Sequence, residues 1–240
     1  MPALLARRAV STLRLGVLAV LTAACLLAAF GRVEAGAPTE TLRGIYGDAN
    51  KILVDPTLED RPMARLVAIR ALFSRAFDFR GAAQRALGTQ WQVRTAAEQS
   101  EFTSLFAGFV QRGFVYWIAS VAELDGNGGG VTINYLGEST DKDHALVRTG
   151  IASRAGRQVL LDHDMVYLGR RWMVRDVTID GISLVANYRA QFNRVIRGSS
   201  YHNLVVRMQE RVNDELPQPV AVGPERLNAD VLRFSAPQTR

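Results

Sequence analysis

Residues 172–192 read WMVRDVTIDGISLVANYRAQF. The first half alternates: Trp172, Val174 and Asp176 fall on one side and Met173, Arg175 and Val177 on the other, which predicts a β-strand. Asp180-Gly181 turns the chain. Ser183 then offers an N-cap, and Leu184, Tyr188, Phe192 and Val195 recur at near-helical spacing, with Val185 and Ile196 beside them. A strand thus runs into a helix at one corner, with large apolar side chains on both sides of the break. The expectation is that sheet and helix close around an apolar space that protein does not fill.

Upstream of this corner the alternation continues. VTINYLGE (131–138), HALVRTGIAS (144–153), RQVLLDHDMVYL (157–168) and RWMVRDVTID (171–180) read as strands. Their connections, STDKD (139–143), Arg154-Ala155-Gly156 and Gly169-Arg170, are short, so the strands are antiparallel neighbours in a four-stranded meander. Such a sheet needs one face covered. Cover is available before it. Leu42, Ile45, Ala49, Ile52 and Leu53 form one face of a helix that Asp55-Pro56 stops. Pro62 opens a second helix over 63–77, and GAAQRALG (81–88) a third that Gly88 caps. The longest helix starts at the capping box Thr95-Ala96-Ala97-Glu98. Its stripe runs through Phe102, Leu105, Phe106, Phe109, Val110, Trp117, Ile118 and Val121. DGNGGG (125–130) is the turn into the sheet. After the sheet, residues 201–213 form an amphipathic helix with Leu204, Val205, Met208 and Val212 inward, and Pro217 and Pro219 open a tail, 216–240, with no period, expected to be disordered. No internal repeat is visible.

The N-terminus has a different character. Arg7, Arg8 and Arg14 precede the uninterrupted apolar run 15–30, and Val33-Glu34-Ala35 supplies small residues at the positions a signal peptidase reads. The run is shorter than the ~20 residues that span a bilayer. Residues 1–35 are read as a secretory signal cleaved near Ala35, with a retained anchor as the alternative. The only cysteine, Cys25, lies inside that segment, so the exported chain relies on its core rather than on disulfides. The formal net charge is +6, and removing the four arginines and one glutamate of the signal leaves +3. That is too mild for a nucleic-acid-binding face. Only Lys51 and Lys142 are lysines, so the positive charge is almost all guanidinium.

Three segments in this order resemble one family: FDFRGAAQRALGTQW (77–91), EQSEFTSLFAGFV (98–110) and WMVRDVTIDGISLVANYRAQFNRVI (172–196). They look like the MlaC family of periplasmic phospholipid-binding proteins, the toluene-tolerance auxiliary components, over about residues 41–213. The resemblance implies an α+β fold in which a helical lobe packs on a curved antiparallel sheet of cystatin or NTF2-like type, with lipid tails between the two. On this chain that gives a lipid-binding domain over 36–215, with the helical lobe at 41–124 and the sheet and last helices at 125–215. It also implies a periplasmic shuttle. Such a protein exchanges phospholipid with an outer-membrane lipoprotein and porin complex and with an inner-membrane ABC transporter complex and its substrate-binding membrane subunit. In that role it maintains outer-membrane lipid asymmetry. The glycine-rich 125–130 turn and the long tail depart from the family's pattern.

Burying an acyl chain is worth about 0.8 kcal/mol per methylene, so a soluble carrier needs a dry cavity built from several elements. The candidate lining comprises Phe106, Phe109, Val110 and Trp117 on the long helix. The strands contribute Tyr135, Tyr167, Trp172 and Val174, and the post-sheet helix Leu184, Tyr188 and Phe192. For each of these residues taken singly the sequence favours an ordinary core, and the resemblance implies that a subset of them lines a ligand space. Arg148, Arg175 and Arg189 are the candidates for a phosphate headgroup. No catalytic residue, metal or cofactor is assigned. Asp162-His163-Asp164 is the one compact titratable cluster, and on a strand the two aspartates face away from His163, which prevents convergence on one substrate or ion. The alternatives are a hopanoid-type lipid carrier of the same layout, an NTF2-like enzyme acting through His163 or Asp176, and a structural envelope module with a filled core.

Overall fold

The computed structural model describes residues 37–125, 132–152 and 158–213. The described residues all belong to the second of two units, Gly36–Arg240; the first, Met1–Ala35, lies wholly outside them. So do 126–130 of the glycine-rich turn, the 154–156 connection and the 216–240 tail.

Six α-helices and an antiparallel sheet make up the described part of the second unit. Helix α1 (Pro38–Leu53) starts three residues earlier than expected because Pro38 sits in its first turn, where a missing N–H costs nothing. A short 3₁₀ turn, Pro56–Leu58, separates it from α2 (Pro62–Ala76). Helix α3 (Phe79–Leu87) begins two residues before the expected 81–88 stretch: Asp78 is its N-cap, accepting from the Gly81 amide. After a 3₁₀ turn at Gly88–Trp91 comes α4 (Ala96–Asp125), a 30-residue rod. Its capping box forms as read, with the Glu98 amide donating to Thr95 Oγ1 and the Thr95 amide donating to Glu98 Oε2.

The sheet has five strands, not four, in the order β1 (Ile133–Asp141), β2 (His144–Ala152), β3 (Gln158–Leu168), β4 (Arg171–Ile179) and β5 (Ile182–Ser183). The expected 139–143 loop shrinks to Lys142-Asp143, because Ser139, Thr140 and Asp141 pair with Leu146, Ala145 and His144. The fifth strand is the far side of the Asp180-Gly181 turn. Both turn residues have positive φ, 46° and 85°, which is the hairpin geometry matched to sheet twist. Thr178 and Ile179 therefore pair with Ser183 and Ile182 before the helix begins. Helices α5 (Leu184–Gly198) and α6 (Tyr201–Asn213) close the described chain.

One irregularity decides the corner. Asp164 faces Asp176 but Met165 faces Val174, so Arg175 is an extra residue on β4. This bulge resets the alternation. Strict alternation from Trp172 and Val174 would put Asp176 on the buried face. Instead Val177 and Ile179 join Trp172 and Val174 there, and Asp176 turns to the other face. Its carboxylate then holds the start of α5. Oδ1 accepts from the Val177 amide at 2.8 Å and the Val185 amide at 3.0 Å, and Oδ2 accepts from Ser183 Oγ at 2.5 Å. Ser183 Oγ in turn accepts from the Ala186 amide. Burial raises the Asp176 pKa and these hydrogen bonds oppose the rise.

The bulge residue makes the second tie. Arg175 reaches Asp78 with Nε and a terminal nitrogen, each 2.8 Å from Oδ2. Next to this pair the Asp78 amide donates to the Val174 carbonyl at 2.8 Å, and Phe77 bridges to Val174. The start of α3 is thereby fixed to β4. Gly81 belongs to this joint, since a Cβ there would run into Asp78 Oδ2 and crowd Arg175 Nε. Helix α3 otherwise packs on α5, α4 and β4 through Ala82, Ala83 and Ala86, whose small side chains allow close approach. Helix α6 lies on α4 and α5 with Leu204, Val205 and Met208 buried. Val212, expected inward, is only partly covered where it lies over Gly108.

Candidate functional site

The buried face of the sheet is apolar and continuous across strands. Ala145, Val147 and Ile151 of β2 stand beside Leu161 and Met165 of β3, and these beside Trp172, Val174, Val177 and Ile179 of β4. Helix α1 crosses this face over β1, β2 and β3. The Thr39 amide donates to Glu138 of β1 at 2.8 Å, Arg43 stacks 4.2 Å from the ring centre of Tyr135, and Leu42 and Ala49 are buried.

At the centre of the apolar face lies a small polar island, built from residues far apart in the sequence. His163 is 2% exposed. Its Nδ1 is 3.2 Å from the Val147 carbonyl and its Nε2 is 2.8 Å from the Tyr46 hydroxyl on α1. A carbonyl only accepts, so Nδ1 carries the proton and Nε2 accepts from Tyr46. Thr149, fully buried, stands on the same face. The signal for Tyr46 was present in the α1 periodicity, between Leu42 and Ala49. The signal for its partner was the lone inward histidine, whose flanking Asp162 and Asp164 pair on the other face with Arg148 and Arg85.

Burial lowers the His163 pKa from 6.5 to about 4, against a small upward pull from the Val147 carbonyl, and burial pushes the Tyr46 phenol up. The folded protein therefore holds a neutral imidazole while the unfolded chain protonates near 6.5. Stability contributed by the neutral ring is present above pH 6.5 and is lost as pH falls from 6.5 towards 4. The expected loss over that window is about 3 kcal/mol. Urea melts of wild type and His163→Met between pH 7 and pH 4 check this, the variant lacking this part of the slope.

The predicted lining residues fall into three places. Phe106, Tyr188 and Phe192 are buried and pack on one another, with ring centres 5.6–6.1 Å apart, joining α4 to α5. Phe102, not among the candidates, belongs to this cluster at 6.1 Å from Phe106 and 5.7 Å from Phe192. Phe109 is at its margin, half-buried, edge-on to Tyr188 at 6.0 Å. Val110 and Leu184 are buried in the same layer of helices. Tyr167 and Trp172 form a second group on the β3–β4 hairpin, 5.4 Å apart, with Val174 beside them on β4. Tyr135 stands apart beneath Arg43. Trp117 lies on α4, but its side chain is outside the described residues.

The three arginines are not brought together. Arg175 is 17% exposed and committed to Asp78, and Arg148 lies on the outer face of the sheet, 3.7 Å from Asp162. Arg189 is exposed on α5 with its guanidinium against Gly88. Arg175 looked available in the sequence because neither the bulge nor its Asp78 partner is a local feature. No group of three or more His, Cys, Asp or Glu side chains able to hold a metal ion occurs among the described residues.

The family model for the MlaC protein matches residues 46–210, more than half of the 240-residue chain. The chain belongs to the MlaC family. A solved structure with the same fold is that of a phospholipid-binding protein from Ralstonia solanacearum in complex with a phospholipid. It is similar to this MlaC-family chain with a TM-score of 0.61 and 24% sequence identity, covering 72% of this chain and 95% of that one. Comparison with curated protein sequences finds no match. The matched range begins at Tyr46 and ends in α6, so it takes in the polar island, both β4 ties and the aromatic cluster.

Proposed function

We propose that this protein binds phospholipid with its acyl tails between the buried face of the sheet and the helices, and that it works as a carrier rather than an enzyme. The observation that carries the reading is family membership over residues 46–210, together with the likeness of fold to a protein that holds a phospholipid. The chemistry agrees. The sheet face from Val147 to Ile179 and the aromatic layer around Phe106 are apolar, and about 0.8 kcal/mol per buried methylene favours acyl tails against such surfaces without a headgroup clamp. His163 fits a structural part. Both ring nitrogens are taken up, by Tyr46 and by the Val147 carbonyl, burial pushes the Tyr46 phenol up, and Asp162 and Asp164 face away, so no carboxylate is at hand for acid–base work.

The carrier would be exported by residues 1–35 to the periplasm. There it would move phospholipid between an outer-membrane complex and an inner-membrane ABC transporter, keeping the outer membrane asymmetric. The energy would come from the transporter. The test is transfer of a fluorescent phospholipid from donor to acceptor vesicles by the purified protein. The wild type is expected to accelerate transfer. Phe109→Asp, placed at the half-buried margin of the aromatic layer, is expected to reduce lipid occupancy several-fold with little loss of fold, because a charge in that space is costly to desolvate. Quantifying bound lipid in both proteins, with a thermal melt as control, checks it. Full loading of a folded Phe109→Asp would remove that side chain from the pocket.

A further inference from the structure

Helix α2 is apolar on two sides. Leu66, Ile69, Leu72, Phe73 and Ala76 are buried, yet Met63 is 65% exposed and Val67 61%, with Ala71 exposed one turn further on. Spacing of four residues puts Met63, Val67 and Ala71 in one stripe on the side away from the core. A surface helix normally turns polar residues there. At 100° per residue Arg70 flanks the stripe on one side and Arg75 on the other. The helix carries no acid at all between Pro62 and Ala76, and Glu59 and Asp60 lie before it, off the helix. An apolar strip with guanidinium groups on both margins matches an anionic lipid surface, where the strip enters the headgroup boundary and the arginines meet phosphates. A second copy of the chain fits less well, because pairing two α2 stripes would bring Arg70 and Arg75 of both copies together.

We infer that the exposed face of α2 docks the protein on anionic bilayer surfaces. The strip is short, about 12 Å from Met63 to Ala71, and lacks Trp, Phe or Leu. Binding is therefore weak and reversible, as suits a protein that must leave the surface again. The contact needs no cargo, so its test is separate from that of the proposed function. The purified protein is sedimented with vesicles of equal parts phosphatidylglycerol and phosphatidylcholine, and with phosphatidylcholine alone. Wild type, Val67→Asp and the double variant Arg70→Gln/Arg75→Gln are compared in the same chain, so that any other membrane contact cancels. The expected result is binding to the anionic vesicles that weakens in high salt, falls at least tenfold in Val67→Asp and falls about 30-fold in the double variant, as about 1 kcal/mol per arginine at such a surface predicts. Thermal melts confirm that these exposed changes leave the fold intact. Equal vesicle binding by wild type and Val67→Asp overturns the inference. So does a wild-type dimer that Val67→Asp dissociates in the ultracentrifuge, which would make the face a contact between copies.

Discussion

Arg175→Met is expected to destabilise the protein by about 3–5 kcal/mol, the largest effect of any single change considered. The magnitude comes from what is left behind. Asp78 has a side chain only 10% exposed, and its Oδ2 takes both Arg175 hydrogen bonds. Without the guanidinium a buried carboxylate keeps only the Gly81 amide. The joint it held would loosen as well, since Phe77, Asp78 and Gly81 fix α3 to β4. Arg175→Lys is expected to recover only part of the loss, because an ammonium cannot present the planar fork. Asp78→Asn/Arg175→Met, which removes both charges, should cost less than Arg175→Met alone. Urea unfolding of the three variants measures the order. If Arg175→Met stays within 1 kcal/mol of wild type, the pair does not anchor α3.

Asp176→Ala is expected to cost about 3 kcal/mol, from a different source. One carboxylate satisfies two backbone amides and the Ser183 hydroxyl at the start of α5. Losing it leaves those donors in a partly buried place, at about 1–3 kcal/mol for each that water cannot reach, besides the loss of a helix cap. Asp176→Asn keeps one acceptor and should be milder. Ser183→Ala removes one partner of the carboxylate and the bond to the Ala186 amide, and should cost about 1 kcal/mol. A far-UV and urea comparison of the three places them. The same change bears on function, because α5 carries Tyr188 and Phe192, which face Phe106. A lost cap should loosen the aromatic layer and lower lipid retention together with stability.

How far the sequence discloses this molecule depends on the range of each interaction. Local chemistry was legible. The Thr95–Glu98 capping box, the Gly88 stop, the Gly169-Arg170 and Asp180-Gly181 turns and the α4 stripe through Phe102 and Phe106 all act within a few residues, so they leave a pattern that spacing reveals. The bulge at Arg175 leaves none, because it depends on the register of β3 opposite β4. It reversed the faces of Asp176 and Val177, and with them the expected availability of Arg175. The Tyr46–His163 bond spans 117 residues and the Asp78–Arg175 pair 97. Neither histidine nor arginine announces its partner across such distances. The exposed stripe on α2 was hidden for another reason: a helix apolar on two sides does not show in its sequence which side is covered.

The central claim is that the interior between the buried face of the sheet and the helices holds hydrocarbon. It is tested most directly by purifying the protein without detergent, extracting it with organic solvent and identifying what is released by mass spectrometry. The expected release is a diacyl phospholipid in roughly stoichiometric amount with the protein. A hopanoid in its place would keep the carrier and change its cargo. A folded protein that releases no lipid of any kind would mean that this interior holds no hydrocarbon cargo.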